Sequence, residues 1–459
     1  MNISDVKSVY FVGAGGIGMS ALIRYFLSKG KKVGGYDRTP SALTQALQQE
    51  GSSIHYEDDT ALIDDDFRSP ETTLVVYTPA VPKTHSELSW FYSQGFHVMK
   101  RAQVLGIITH NNRGLCIAGT HGKTTTSSML AHILKQSHVD CNAFLGGILK
   151  NYDSNLMLSD KSDLTVIEAD EFDRSFHWLT PYMAVITAAD PDHLDIYGTA
   201  EAYRESFEKF TSLIRPDGVL LMKEGVAITP QLQKGVKLYT YSATDKGDFH
   251  AENIQIGNGD IFFDFVGPGV SIRHIQLGVP AKINIENSIA AIAIAWMNGV
   301  NAEEIKQAVA SFAGPRRRFD FHLKKDHIVL IDDYAHHPEE IKASILSVKE
   351  LYAGRKVTGI FQPHLYTRTR DFAADFAESL SLLDELILLD IYPAREKPIP
   401  GVTSQIIFDK VTISNKRMCH KDELLDIMAQ NQYEVVLTIG AGDIDRLIEP
   451  IKNILDKKA

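Results

Sequence analysis

The sequence predicts an α/β protein of three domains. These are a Rossmann-like N-terminal domain (residues 1–110), a central P-loop ATPase-type domain (111–313) with a parallel sheet plus a small antiparallel sheet, and a Rossmann-like C-terminal domain (314–459). Three observations predict it. Apolar strand-like runs alternate with helical patterns along almost the whole chain. The alternation restarts twice, after the polar HNNRG at 110–114 and near AGPRRRFD at 313–320. And 459 residues exceed what one hydrophobic core organises.

In the first domain, VYFVG and KKVGGYD read as strands, with MSALIRYFLSKG between them at helical spacing and closed by a glycine. TTLVVYTPAVP is a further strand that ends in a proline-punctuated loop. In the second, LTVIEAD (164–170) and MAVITAAD (183–190) are continuous apolar runs, as buried parallel strands are, and each ends in acids. FHAENIQI, DIFFDFVG and SIRHIQLG predict the short antiparallel strands; NIENSIAAIAIAWMNG predicts a buried helix and AEEIKQAVASF another. In the third, HIVLIDDYAHHP, KVTGIFQPH, ELILLDIYPA and VVLTIGAGDID repeat the strand-then-loop pattern.

A net charge of −11 argues against broad binding of nucleic acid or anionic membranes. Three widely spaced cysteines (Cys116, Cys141, Cys419) give neither a zinc nor a disulfide framework and fit a reducing compartment. MNISDVKSVYFVG enters a strand almost at once, without a basic region or a signal-like apolar core. No run reaches the ~18 apolar residues of a membrane span. The expectation is a cytoplasmic protein without membrane insertion.

Two glycine turns carry most of the chemistry. Gly13-Ala14-Gly15-Gly16-Ile17-Gly18 follows a strand and opens a helix, with Asp37 19 residues beyond Gly18. Such glycines let backbone approach a diphosphate at a helix N-terminus. The turn alone leaves open whether the diphosphate belongs to NAD, FAD or a nucleotide sugar. The second turn is Gly119-Thr120-His121-Gly122-Lys123-Thr124-Thr125. It is a shortened phosphate loop, because Ile117 stands where the full pattern has its first glycine. Lys123 can meet β- and γ-phosphates and Thr124 can offer a hydroxyl to Mg²⁺.

Glu168 and His193 lie at the ends of successive predicted strands after this loop. With Thr124 they make a plausible oxygen- and nitrogen-donor set for a metal that keeps waters and phosphate oxygens. Arg316-Arg317-Arg318, the one arginine triplet of the chain, falls at the second junction, from which an arginine could reach phosphates. Asp333, Tyr334, His336 and His337 end one strand of the last domain; His364, Arg368 and Arg370 end another. Such clusters suit a small anionic substrate, although His337-Pro338-Glu339 equally reads as a helix start.

Taken in order, GTHGKTT, EADE (168–171), DHLD (192–195), RRRFD and DDYAHHP resemble the Mur ligases of peptidoglycan synthesis, over essentially the whole chain. Within them the sequence is most similar to the branch that joins L-alanine to UDP-N-acetylmuramate. The resemblance implies ATP and Mg²⁺ as cofactors and an acyl-phosphate route. It assigns the first domain to the UDP-sugar (Gly13, Gly15, Gly16, Gly18, Asp37, Thr78, Pro79), the second to ATP and the third to the amino acid. It implies that Gly119–Thr125, Asn284, Asn287, Arg318 and Asp333 bind ATP, that Thr124, Glu168 and His193 hold Mg²⁺, and that Lys123, Glu168, His193 and Arg318 are catalytic. His337, His364 and Arg368 are implied for L-alanine. Leu365 stands where the family has an arginine, which leaves Arg368 or Arg370 for the amino-acid carboxylate.

The recycling ligase that adds a tripeptide to the same nucleotide sugar shares these motifs. Folylpolyglutamate synthase shares only the last two domains. A nicotinamide oxidoreductase built on GAGGIGM leaves GTHGKTT unexplained, and a silent nucleotide-binding regulator leaves Lys123, Glu168 and His193 unexplained.

Overall fold

The computed structural model describes residues 5–458 apart from 83, 193, 245 and 395. Three sheets carry the three predicted α/β segments. The chain forms two compact units, the first made of Met1–His250, Val266–Val270 and Asn287–Ala308, the second of Ala251–Phe265, Ser271–Glu286 and Val309–Ala459.

In the first unit, β1 (Ser8–Val12), β2 (Lys32–Tyr36), β3 (Ser53–His55), β4 (Thr73–Tyr77) and β5 (His97–Lys100) form a parallel sheet in the order β3-β2-β1-β4-β5. Every residue of β1 is buried, as expected of a strand covered on both faces. The next sheet takes β6 (Arg113–Ala118), β7 (Asn142–Leu149), β8 (Ser154–Met157), β9 (Leu164–Glu168), β10 (Pro181–Ile186), β11 (Val219–Lys223) and β12 (Lys237–Ser242). These seven strands of a ten-stranded sheet stand in the order β12-β11-β10-β6-β9-β7-β8, with only β8 among them antiparallel to its neighbour. The expected linker HNNRG is short, since Arg113 already begins β6.

The two sheets share one core, which runs from Val9, Phe11 and Phe26 to Phe144, Phe176 and Phe207. The helix Ile17–Ser28 explains the fusion. Its Tyr25 ring packs on Phe144 at 5.8 Å, and Arg24 and the Ile17 carbonyl both bond the buried Asn155 side chain, at 2.8 and 2.7 Å. Two segments with separate sheets thus lie in one compact unit.

In the second unit, β13 (Phe249–Gly257), β14 (Asp260–Gly267) and β15 (Val270–Gln276) are neighbours, at the three runs the sequence marks as short strands. The last sheet has β16 (Asp320–Lys324), β17 (Val329–Asp333), β18 (Val357–Phe361), β19 (Glu385–Leu388), β20 (Lys416–Met418) and β21 (Val435–Ile439) in the order β16-β17-β21-β18-β19-β20. It is parallel except for β16. Leu330, Ile360, Ile387 and Val436 centre its own core. The predicted helices stand at Ile283–Met297 and Ala302–Ser311, of which Asn287–Ala308 belongs to the first unit. Among the described residues no helix is long and apolar enough to cross a membrane, and all three cysteines are buried and free.

Candidate functional site

Two strand–turn–helix corners of the first unit follow the same physical plan. The helix Ile17–Ser28 is entered through Gly16 and the helix Lys123–Gln136 through Gly122. Neither N-cap bonds through a side chain and neither first turn contains an acid. Uncapped amides and the positive end of the helix dipole favour an anion at both.

At the first corner the Gly15 amide donates to Asp37 Oδ2 at 2.6 Å, and the Thr39 amide donates to Asp37 Oδ1 at 3.1 Å. Gly13 has φ +91°, and a Cβ there would lie 2.6 Å from Thr78 Cγ2. Gly13, Gly15, Asp37 and Thr78 are therefore brought together as the sequence implied, while Gly16 and Pro79 are exposed beside them. Arg101, which the sequence reading did not single out, packs against Gly18 and pairs with Asp170 at 3.1 Å. Its neighbour Lys100 pairs with Asp173.

At the second corner Gly119 has φ +145°, and a Cβ there would collide with the Thr187 hydroxyl. That hydroxyl donates to the His121 carbonyl and lies 3.2 Å from the Ala118 carbonyl. Thr120 Oγ1 donates to the Asp190 carbonyl at 2.7 Å. Thr124 Oγ1 donates to Glu168 Oε1 at 3.1 Å, and the Gly146 amide donates to Glu168 Oε2 at 3.1 Å. Asn287, 6% exposed, lies against Gly122 and accepts from Thr126 Oγ1 at 3.2 Å. Thr125 is half-buried in the first helical turn and His121 is exposed. His193 lies outside the described residues. Among the described residues no group of three or more His, Cys, Asp or Glu gathers as a metal cluster. Thr124 and Glu168 nonetheless offer the oxygen donors a hard divalent cation takes.

Lys123 has a partner that the sequence reading passed over. Its ammonium donates to the Gly119 carbonyl at 2.5 Å and to Glu171 Oε1 at 2.8 Å; Glu171 Oε2 is also 2.8 Å away. Glu171 is only 2% exposed, and burial raises its carboxyl above the usual range while Lys123 pulls it back. The signal was visible as the second glutamate of EADE.

In the second unit the arginines divide their work. Arg317 has φ +62°; it bonds buried Asp332 at 3.1 Å and the Gly440 carbonyl at 2.6 Å, so it ties β17 to the end of β21. Arg318 lies over the Tyr334 ring at 5.3 Å, and Arg316 is exposed. Burial pushes the Asp333 carboxyl from 3.8 up to about 6, with Ser344 and Arg318 pulling the other way. Asn284, 4% exposed, donates to the Val279 carbonyl at 3.1 Å.

At the ends of β17 and β18, His364 Nδ1 lies 3.3 Å from Arg368 Nη1, and its ring packs on Tyr392 at 5.8 Å and on His336 at 6.3 Å. Burial lowers the His336 imidazole, against the raising effect of Glu340. His337 caps the helix Pro338–Leu351 and its ring meets Phe372 at 5.1 Å. Of the two arginines the sequence left open, Arg368 lies beside His364, whereas Arg370 is exposed and pairs with Asp371 at 2.7 Å. Leu365 holds φ +72° at the start of this turn.

Two uncapped helix starts in one unit that can each take an anion, and a His–Arg cluster at the strand ends of the other, are features expected of a nucleotide-dependent ligase. Family comparison agrees: residues 8–113 match the Mur ligase family catalytic domain, 117–295 the Mur ligase middle domain and 317–442 the Mur ligase glutamate ligase domain. The chain belongs to the Mur ligase family. It is 75% identical, over 100% of its own length and 99% of the relative's, to the UDP-N-acetylmuramate–L-alanine ligase of Parabacteroides distasonis. The UDP-N-acetylmuramate–alanine ligase of Thermotoga maritima superposes with a TM-score of 0.82 at 27% identity, covering 98% of this chain and 99% of that one. A murein peptide ligase of Psychrobacter arcticus has the same fold, with a TM-score of 0.65 at 20% identity and 98% of each chain covered.

Proposed function

We propose that the chain joins L-alanine to the lactyl carboxylate of UDP-N-acetylmuramate at the expense of ATP, as a step of peptidoglycan precursor synthesis. The observation that carries this reading is the 75% identity, end to end, with a relative named for that reaction. The uncapped Gly122 helix start beside Lys123, Thr124 and Glu168 supports ATP as the second substrate.

In this reading residues 1–110 bind the nucleotide sugar through Gly13, Gly15, Gly16, Gly18, Asp37, Thr78 and Pro79. Residues 111–313 bind ATP, and residues 314–459 supply His337, His364 and Arg368 to the amino acid. The lactyl carboxylate attacks the γ-phosphorus and ADP leaves, giving an acyl phosphate. The alanine amine then attacks the acyl carbon, loses a proton and expels phosphate. Both steps need charge neutralisation and alignment more than covalent help from the protein. Lys123 neutralises the β- and γ-phosphate oxygens, and Arg318, Asn284, Asn287 and Asp333 complete the nucleotide contacts. Thr124 and Glu168, with His193, would hold Mg²⁺, which when bound supplies charge neutralisation at the phosphates. Three free, buried cysteines support a reducing compartment, and we expect the cytoplasm.

The test is phosphate release from ATP and Mg²⁺ with UDP-N-acetylmuramate, with and without L-alanine. Release that requires L-alanine and yields the alanyl nucleotide sugar supports the proposal. Release with a tripeptide but not with L-alanine would make the chain the recycling ligase instead.

A further inference from the structure

The phosphate-loop lysine is held by a carboxylate that the reaction scheme above does not use. Nζ of Lys123 has three N–H bonds. One reaches the Gly119 carbonyl at 2.5 Å and one reaches Glu171 at 2.8 Å. Among the described residues the third finds only the Thr120 carbonyl, at 3.5 Å, and is the one that a phosphate oxygen can take. Glu171 itself has little freedom. It is 2% exposed, and its own carbonyl accepts from the buried Tyr197 hydroxyl at 2.5 Å. Glu168 does different work, accepting from Thr124 and Gly146 rather than from the lysine.

We infer that Glu171 is the positioning residue of Lys123: it fixes the direction of the ammonium over the loop and offsets its charge before nucleotide arrives. This rests on the ATP-ligase reading and adds a residue to it. Two consequences separate positioning from simple scaffolding. An aimed ammonium serves the transition state, where charge moves along the γ-phosphate, so losing its direction lowers kcat. A partly neutralised ammonium holds bound nucleotide less tightly, so removing the carboxylate charge strengthens ground-state binding of ATP and ADP. Removing the carboxylate charge therefore lowers kcat and KM together: catalysis is lost while nucleotide binding tightens. A merely structural glutamate would weaken both.

The experiment compares wild type with Glu171→Gln, which keeps the shape and loses the charge. ADP affinity is read by calorimetry, and kcat and KM for ATP by phosphate release. The expected result is a kcat lower by about tenfold or more, with KM for ATP and Kd for ADP unchanged or several-fold lower. In a Lys123→Met background the same change should alter ADP affinity by less than about twofold, because there is no ammonium left to position. Should E171Q fail to fold, Glu171→Asp, which keeps the charge but withdraws it from Nζ, should lower kcat without raising KM for ATP. Wild-type kinetics in E171Q, or a parallel loss of kcat and ADP affinity, would overturn the inference. A wild-type chain that binds no adenine nucleotide would overturn the ATP-ligase reading first and this inference with it.

Discussion

The two glycine corners of the first unit share a backbone plan and differ in what their side chains do with charge. At Gly13–Gly18 a carboxylate, Asp37, sits directly on a turn amide at 2.6 Å. At Gly119–Thr125 the carboxylates stand back from the amides and engage side chains instead: Glu171 the Lys123 ammonium, Glu168 the Thr124 hydroxyl. The first corner holds itself in shape and has a cation, Arg101, only at its edge. The second keeps a cation at its centre, already aimed. A turn built only to bind a diphosphate needs shape. A turn that must stabilise moving charge needs an oriented positive group.

The comparison breaks most sharply at Lys123. Lys123→Ala should lower ligation by about a thousandfold or more, while UDP-N-acetylmuramate still binds within about twofold of wild type by calorimetry. Full activity in that variant would sink the role given to the second corner. Next comes backbone shape. Gly119→Ala places a Cβ into Thr187 at φ +145°, and should cost about 3 kcal/mol in urea unfolding as well as nucleotide binding.

A third effect tests the core beside the first corner. Buried Glu87 accepts from the Tyr10 hydroxyl at 2.7 Å, and burial pushes its carboxyl from 4.5 up to about 7. Between those values the unfolded chain has released a proton that the folded chain keeps. The contribution of Glu87 to stability therefore falls as pH rises from about 4.5 to about 7, and is level above that. Glu87→Gln removes the dependence. Relative to the variant, wild type should lose about 2–3 kcal/mol between pH 4.5 and 7.5, read from urea midpoints at the two values. The smallest effect is Asp37→Ala, which loosens the first turn and should weaken UDP-N-acetylmuramate by about tenfold without changing ATP binding.

Much of this was legible because parallel strands buried on both faces write themselves as apolar runs. VYFVG, LTVIEAD, MAVITAAD and the four runs of the last segment all became strands. What escaped is informative. Half-polar edge strands such as Ser53–His55 and Lys416–Met418 have too few apolar residues to announce themselves. The shared core of the first two sheets depends on Tyr25 meeting Phe144 and on Asn155 meeting Ile17, contacts between residues more than a hundred positions apart. The site residues proposed from sequence were those with motif spacing; Glu171 and Arg101, which were not singled out, meet partners that only folding brings near. Arg317 shows the converse: one arginine of an exposed-looking triplet is spent on Asp332 and the Gly440 carbonyl.

The most direct measurement is a paired titration. UDP-N-acetylmuramate and a non-hydrolysable ATP analogue are each titrated by calorimetry into wild type, Gly13→Val and Lys123→Ala. The Gly13 variant should lose the nucleotide sugar and keep the ATP analogue, while the Lys123 variant should do the reverse. Loss of both ligands in either folded variant, or binding of NAD by wild type in place of the nucleotide sugar, would contradict the division of labour between the two turns.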